Sequence, residues 1–223
     1  MKAPTLDGVI ERRLLINYRV DPAALEHLVP DGFRPQLVRG SAVAGICLLR
    51  LGSLRPVGVP RWLGLRSENA AHRIAVEWDT PEGISQGVYI PRRDSGSLTN
   101  VIVGGRLFPG VHHRAEFAVE EKDSNFSVKF RSLDGSASVS LEAVLSKRFN
   151  GSRLFTDLAE ASAFFQGGSL GYSDSSDPCR LDGLRLETAD WDMEAVDLRF
   201  VRSSFFSGEG PLTRTLPIWT AAS

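Results

Sequence analysis

Apolar and polar residues alternate along most of this chain with a period of two, which is typical of β-strands that bury one face. The alternation covers residues 9–20, 33–38, 41–51, 67–78, 84–93, 111–121, 126–131 and 136–146, and more weakly 184–187 and 196–206. Residues 41–51 are apolar on both faces, which predicts a central strand. Turn residues at 80–83 and at Asp134-Gly135 join neighbouring strands as hairpins. The pattern therefore predicts a largely antiparallel sheet.

A few short helices and loops interrupt the strands. Asp21 followed by Pro22 predicts a helix that ends near Val29, and Asp157 predicts a second one through Phe165. Residues 95–103 predict a third helix, whereas residues 173–178 are polar and indicate a loop. Residues 55–62, with two prolines and a tryptophan, are compatible with a flap over a pocket or with an ordinary packed loop. We therefore expect an α+β protein with a curved, mostly antiparallel, cone- or barrel-like sheet and a few short peripheral helices.

The strand at 111–121 carries two of the four histidines of the chain. Strand alternation places His113 on the same face as Val111, Ala115 and Phe117, while His112 and Arg114 lie on the other face. A histidine among apolar neighbours is either a core residue or a catalytic group.

Other strands also carry charged or imidazole side chains on their apolar faces. The alternation of side chains between the two faces of each strand places five such residues on the apolar faces: Arg12, Glu68, His72, Arg92 and His113. In a closed or strongly curved sheet these faces look into one interior, where such groups could bind an anion and move a proton. The alternative is a buried ion-pair network without function, and a one-residue bulge would reverse any of these assignments.

Composition is ordinary for a globular protein. The 223 residues have 42% hydrophobic and 24% charged residues and a net charge of -1, which gives no basic field for nucleic acid or a membrane surface. No apolar run has the length of a signal peptide core or a membrane helix. With no repeat or domain boundary in sight, we expect one domain over residues 1–223 and a cytoplasmic location.

The spacing of potential ligands and nucleophiles argues against several chemistries. Cys47 and Cys179 suggest neither a disulfide framework nor a metal cluster, and no paired histidine or cysteine motif supports a metal site. Gly104-Gly105-Arg106 is not a nucleotide-binding fingerprint, and no nucleophile elbow is present. We therefore expect no metal and no cofactor.

Two stretches resemble the acetoacetate decarboxylase-like superfamily. Residues 18–33, with Arg19-Val20-Asp21 before a helix and Leu28-Val29-Pro30-Asp31-Gly32-Phe33 after it, are similar to the opening of that family. Gly105-Arg106-Leu107-Phe108-Pro109 resembles the segment that precedes its paired lysines. The likeness covers about residues 9–150. Pro109, His112 and Arg114 fit a pattern of the superfamily's uncharacterised branch, a domain of unknown function.

The resemblance implies the fold and part of a pocket. Glu68 falls close to a family active-site glutamate, and Arg12 lies within one residue of its substrate-binding arginine. The Schiff-base lysine is missing, because Gly110 and Val111 stand where the paired lysines would be, and Lys147 comes nearest to a substitute. Family decarboxylases assemble into oligomers, which makes a homo-oligomer an expectation, although no interface stripe stands out.

Three functional hypotheses follow. The first is a pocket for a small molecule with a carboxylate or carbonyl group, using acid–base chemistry without a Schiff base. Its catalytic residues would be Glu68, His72 and His113, and its ligand-binding residues would be Arg12, Arg92, His112 and Arg114. The second is a non-catalytic binding or sensing protein, and the third is a decarboxylase with a relocated lysine.

Overall fold

A computed structural model describes residues 5–98, 110–150, 152–177, 179–188, 191–206 and 213–220 of the chain. Thirteen strands in this part form one sheet. The first six strands are β1 (Leu6–Val20), β2 (Arg34–Pro35), β3 (Leu37–Val38), β4 (Ser41–Pro56), β5 (Leu65–Thr80) and β6 (Gly83–Ser95). The remaining strands are β7 (His112–Lys122), β8 (Asn125–Ser132), β9 (Ser138–Ser146), β10 (Leu170–Asp174), β11 (Leu181–Arg185), β12 (Glu194–Ser203) and β13 (Thr213–Thr220).

The strand pairings form a path that returns to its starting strand. From β6 the path runs through β7, β8, β9, β12, β13, β1, β4 and β5, and β5 pairs with β6 again. Among the pairings of the described strands, β6 with β7 and β6 with β10 are parallel, and the others are antiparallel. The fold is therefore mostly antiparallel and cone- or barrel-like, as the sequence predicts.

Two hydrophobic clusters lie on opposite faces of this sheet. The inner cluster includes Leu14, Ile46, Ile74 and Val128, which are all fully buried. The outer cluster lies beneath a helix and includes residues of the same strands at the alternate positions, such as Leu15 and Cys47. The central position of β4 is confirmed, because it pairs with β1 on one side and β5 on the other and is buried on both faces.

Short helices lie at the periphery. Helix α1 (Pro22–Glu26) begins after Asp21, which accepts a hydrogen bond from the Ala23 backbone, and α2 (Leu158–Gly167) begins after Asp157, which accepts one from Glu160. Both caps agree with the predicted helix starts. The helix predicted over 95–103 lies largely outside the described residues, as do residues 104–109 of the family-like motif.

Several predicted boundaries were wrong. The segment 55–62 begins as the end of β4 and continues through a turn into a 3₁₀ helix (Arg61–Leu63), where Trp62 is 81% exposed and not packed over a cavity. The predicted loop at 173–178 begins inside β10, and β11 starts three residues earlier than predicted. β13 was not predicted. No helix among the described residues is long and apolar enough to span a membrane.

Candidate functional site

Two arginines and two glutamates form a cluster on the inner face of the sheet. Register places Arg12 of β1 opposite Arg50 of β4, and Arg50 opposite Glu68 of β5. The Nη2 atom of Arg12 lies 2.5 Å from Oε2 of Glu68, and Nε of Arg50 lies 2.5 Å from Oε1 of the same carboxylate. Glu121 of β7 pairs with Arg12 and lies 2.9 Å from Nη2 of Arg50. We call these four residues the Arg–Glu cluster.

Burial in the Arg–Glu cluster is graded. The Arg12 side chain is 2% exposed, those of Arg50 and Glu68 are 18% and 19% exposed, and that of Glu121 is 31% exposed. Burial disfavours the charged form of Arg50, but its hydrogen bonds with the two glutamates raise its pKa overall. Burial also disfavours the charged form of Glu121, but pairing with Arg12 and Arg50 lowers the pKa of that carboxyl below its usual value. Arg50 and Glu121 are therefore held in their charged forms.

A second group of polar side chains surrounds Arg92 of β6. Its guanidinium lies 2.9 Å from both oxygens of Asp94, donates to the Ser132 hydroxyl at 2.6 Å, and lies 3.0 Å from Asp134. The Nδ1 atom of His113 lies 3.0 Å from Asp134, so the same carboxylate joins Arg92 and His113. We call this group the Arg92 cluster.

Hydrogen bonds set the charge of the Arg92 cluster. Those that Asp134 accepts from the side chain and backbone of Ser136 lower its pKa strongly, with further contributions from Ser132 and Arg92. Burial lowers the pKa of Arg92, but pairing with Asp94 and Asp134 raises it overall. The carboxylate of Asp134 can therefore orient the imidazole of His113 without taking up its proton near neutral pH.

His72 lies opposite Arg92 in the pairing of β5 with β6, but it makes no hydrogen bond to either cluster. It is fully buried, its ring lies 4.2 Å from that of Phe205, and the rings of Phe130 and Phe206 complete an aromatic surrounding. Neither ring nitrogen has a hydrogen-bond partner in the described part of the chain. Burial, with a smaller contribution from the charge of Arg92, lowers the pKa of His72 to about 3. The imidazole is therefore neutral at physiological pH.

The predicted site residues thus fall into separate groups. The structure brings Arg12 together with Glu68 and Arg92 together with His113, but no hydrogen bond or ion pair among the described residues joins the two pairs. His112 and Arg114 belong to the opposite face of β7, where Arg114 donates to the carbonyl of Gly96. The ligand-binding role assigned to those two residues remains a prediction. Within the described residues, no group of three or more histidine, cysteine, aspartate or glutamate side chains could hold a metal ion.

Sequence reasoning missed four members of the two clusters: Arg50, Glu121, Asp94 and Asp134. Parity would have found the first two, because Arg50 continues the inner face from Ala44 and Ile46, and Glu121 continues the face of Ala115. Asp134 lies in a hairpin turn, where aspartate is ordinarily explained by turn chemistry alone.

Comparison with known proteins supports the fold. A sequence profile of the DUF2071 family, described as an uncharacterized conserved protein, matches residues 9–219. A search of curated proteins found no match.

Solved structures resemble the chain over almost its whole length. An acetoacetate decarboxylase-like enzyme from Sphingomonas wittichii RW1 has 14% identity and a TM-score of 0.61, and the alignment covers 98% of this chain and 89% of that one. The acetoacetate decarboxylase of Legionella pneumophila has 10% identity and a TM-score of 0.57, covering 98% and 85%. The enduracididine biosynthesis enzyme MppR, complexed with pyruvate, has 11% identity and a TM-score of 0.60, covering 98% and 86%. The chain therefore has the acetoacetate decarboxylase-like fold.

Proposed function

The chain belongs to the DUF2071 family, and we propose that it binds a small molecule with a carboxylate or carbonyl group at the Arg–Glu cluster. One observation carries this proposal. The guanidinium of Arg12 is buried, whereas one of its two carboxylate partners, Glu121, is about a third exposed near the end of a strand. A buried guanidinium requires an anionic partner, but that partner need not be Glu121.

Ligand binding would then be an exchange of carboxylates. Glu68 keeps its two hydrogen bonds, one with each arginine, and holds the guanidiniums in place. Glu121 can swing into water at little cost in desolvation, because its side chain is already the most exposed of the four. A ligand carboxylate of similar size then accepts the hydrogen bonds that Glu121 gives up.

The similar structures support this class of ligand. MppR is a protein of the same fold whose solved complex contains pyruvate, a small keto acid. Acetoacetate decarboxylases, which share the fold, are named for another small keto acid. Their identity to this chain is 14% or less, so they support the fold and the size of ligand, and the residues of the Arg–Glu cluster carry the rest of the proposal.

For catalysis without a Schiff base, Glu68 is the acid–base group beside the proposed ligand position. His113 is oriented by Asp134 through Nδ1, which leaves Nε2 for proton exchange, but it belongs to the Arg92 cluster. His72 is neutral and buried among phenylalanine rings, which suits it to accept a hydrogen bond from a group that enters the interior. Arg92 would bind an anionic group beside His113.

One observation favours the non-catalytic alternative. Both oxygens of Glu68 accept hydrogen bonds from guanidiniums, so each oxygen is already engaged in an ion pair and neither is turned only toward a ligand. A binding or sensing protein needs only the two arginines and the exchange of Glu121.

The relocated-lysine hypothesis gains no support from the described lysines. Lys122, Lys129 and Lys147 are all exposed, whereas a Schiff-base lysine is activated by an apolar pocket or a neighbouring cation. Lys2 lies outside the described residues.

Calorimetric titration with pyruvate and acetoacetate, with pyruvamide as the uncharged control, tests the proposal. Glu121→Gln removes the competing charge, so we expect keto acids to bind about tenfold more tightly to this variant. Glu116→Gln is the matched control, because Glu116 is exposed on the opposite face of the same strand and should leave affinity unchanged. Absence of keto acid binding, or weaker binding to Glu121→Gln, would overturn the proposal.

A turnover assay on the same samples separates catalysis from binding. Conversion of the bound keto acid, followed by proton NMR, with loss of conversion in Glu68→Gln would establish an enzyme. Binding without conversion would establish the non-catalytic alternative.

A further inference from the structure

A buried arginine on the outer face of the sheet has no carboxylate partner. Arg73 of β5 is 6% exposed, donates to the side-chain oxygen of Asn17 at 2.6 Å, and lies over the ring of Phe165 at 4.9 Å. Within the described part of the chain it forms no ion pair. Burial lowers its pKa to about 10, so the group remains charged near neutral pH. An uncompensated buried charge of this kind is expensive and indicates a site that favours anions.

The chain is built to accommodate this guanidinium. Gly45 of β4 lies in register between Asn17 and Arg73. A Cβ atom at Gly45 would lie 2.3 Å from the carbonyl oxygen of Ile16 and 2.9 Å from the side-chain oxygen of Asn17. The glycine therefore leaves the space across which Arg73 reaches the side-chain oxygen of Asn17.

An open cavity of about 280 Å³ lies beside this arginine on the outer face. Phe165 forms part of its wall and also packs on Arg73, and Gly168 is shared with a smaller cavity of about 10 Å³ that Arg73 itself lines. The smaller cavity has room for about one water molecule. The positive charge of Arg73 thus lies directly behind one wall of the larger cavity.

A second cation and a fixed indole also line the larger cavity. Arg13 of β1 lies 5.2 Å from the ring centre of Trp191, and among the described residues it too has no carboxylate partner. The indole N–H of Trp191 donates to the hydroxyl of Ser162 in α2 at 2.9 Å, which fixes the orientation of the ring. The cavity therefore combines a reachable guanidinium with the aromatic surface of Trp191.

We propose that this outer cavity is a second binding site, separate from the Arg–Glu cluster, for a flat aromatic carboxylate. The ring of the ligand would lie against the indole of Trp191, and its carboxylate would pair with Arg13 while Arg73 adds charge from behind Phe165. Gln166 and Ser169 supply further polar groups in the wall. Glu187 is exposed in the same wall and opposes an anion, which sets a limit on affinity.

Two-dimensional NMR of the full chain with benzoate as the probe tests this proposal locally. Four tryptophans give four indole N–H signals, and Trp191→Phe identifies the relevant one. We expect benzoate to shift the Trp191 signal in a saturable manner and uncharged benzamide to leave it in place. Arg13→Gln should weaken benzoate binding by about tenfold. Arg66→Gln, at an exposed arginine that pairs with Glu11, is the matched control and should not change binding.

Glu187→Gln provides an independent check, because Glu187 is exposed and its substitution leaves the buried residues untouched. Removing its charge should tighten benzoate binding. The proposal is overturned if the Trp191 signal does not respond, if benzamide shifts it equally, or if Arg13→Gln binds as the unmodified chain does. None of these results depends on keto acid binding at Arg12.

Discussion

Arg12 and Glu68 form an ion pair across an intervening strand. They belong to β1 and β5, which are separated by β4, and the Arg12 side chain reaches over β4 to bring its Nη2 atom within 2.5 Å of Glu68. Arg50, on β4 itself, lies between them and donates to the other oxygen of the same carboxylate. This relationship binds three strands together through side chains in addition to their backbone hydrogen bonds.

Removing the buried guanidinium should destabilise the fold. Arg12→Ala leaves two carboxylates of the Arg–Glu cluster short of a partner, and we expect a loss of about 3 kcal/mol in the free energy of unfolding. Arg66→Ala, at an exposed arginine, should change it by less than about 0.5 kcal/mol. Urea denaturation of both variants measures the difference, and equal stabilities would contradict a structural contribution from the cluster.

His72 should make stability depend on pH. Its pKa is about 3 in the folded chain, mainly because of burial, and about 6.5 in the unfolded chain. Between these values the unfolded chain binds a proton that the folded chain does not, so stability falls as pH decreases through this window, by at most about 1.4 kcal/mol per pH unit. His72→Leu should flatten this slope, whereas His27→Gln, at an exposed histidine, should preserve it. Denaturation curves at several pH values would show the prediction to be wrong if both variants kept the same slope.

The space over Gly45 can be tested by filling it. Gly45→Ala places a methyl group against the backbone of Ile16, which belongs to a paired strand and cannot move aside, and we expect a loss of about 1–3 kcal/mol. Gly167→Ala is the matched control, because nothing lies within 4 Å of a Cβ atom added at Gly167. The stability of this variant should be unchanged or slightly higher. Thermal unfolding of the two variants gives the comparison. If Gly45→Ala left the stability unchanged, β1 and β4 would be able to move apart at this position.

Borohydride trapping should give no adduct. Pyruvate forms a reducible imine with a lysine held in an apolar pocket, but Lys122, Lys129 and Lys147 are exposed to solvent. We expect intact-mass spectrometry to show the unmodified mass after incubation with pyruvate and borohydride. A pyruvate adduct located on Lys147 by peptide mapping would restore the relocated-lysine hypothesis.

Parity along the strands predicted much of the inner face correctly, and the exceptions have local causes. The sequence predicts Arg92 on the inner face, and regular alternation along β6 would place Val88 and Ile90 on that same face. The structure places Arg92 opposite His72 on the inner face, whereas Ile90 packs in the outer cluster, because the register shifts between these residues. A bulge of one residue has no reliable signature in sequence. The predicted face of Arg92 is therefore correct, although the regular alternation from which it was predicted is interrupted.

The separation of the clusters could not be read from the sequence. The alternation along a strand assigns each side chain to a face but gives no position along the axis of a barrel. The five inward-facing residues were therefore expected to form a single site. The structure divides them between Arg12, Arg92 and the aromatic surroundings of His72. Similarly, β13 contains Pro217, which weakens the pattern of a strand, and its place between β1 and β12 follows from tertiary pairing alone.

The pairing of β1 with β13 has a consequence for synthesis of the chain on the ribosome. β1 is synthesised early, but the strand that pairs with one of its edges, β13, consists of residues 213–220. Until that segment has emerged, β1 presents a row of unpaired backbone groups, and the sheet cannot complete its circuit. Folding must therefore finish after translation of this segment, and the nascent chain offers an open β-edge that a chaperone or a second nascent chain can engage.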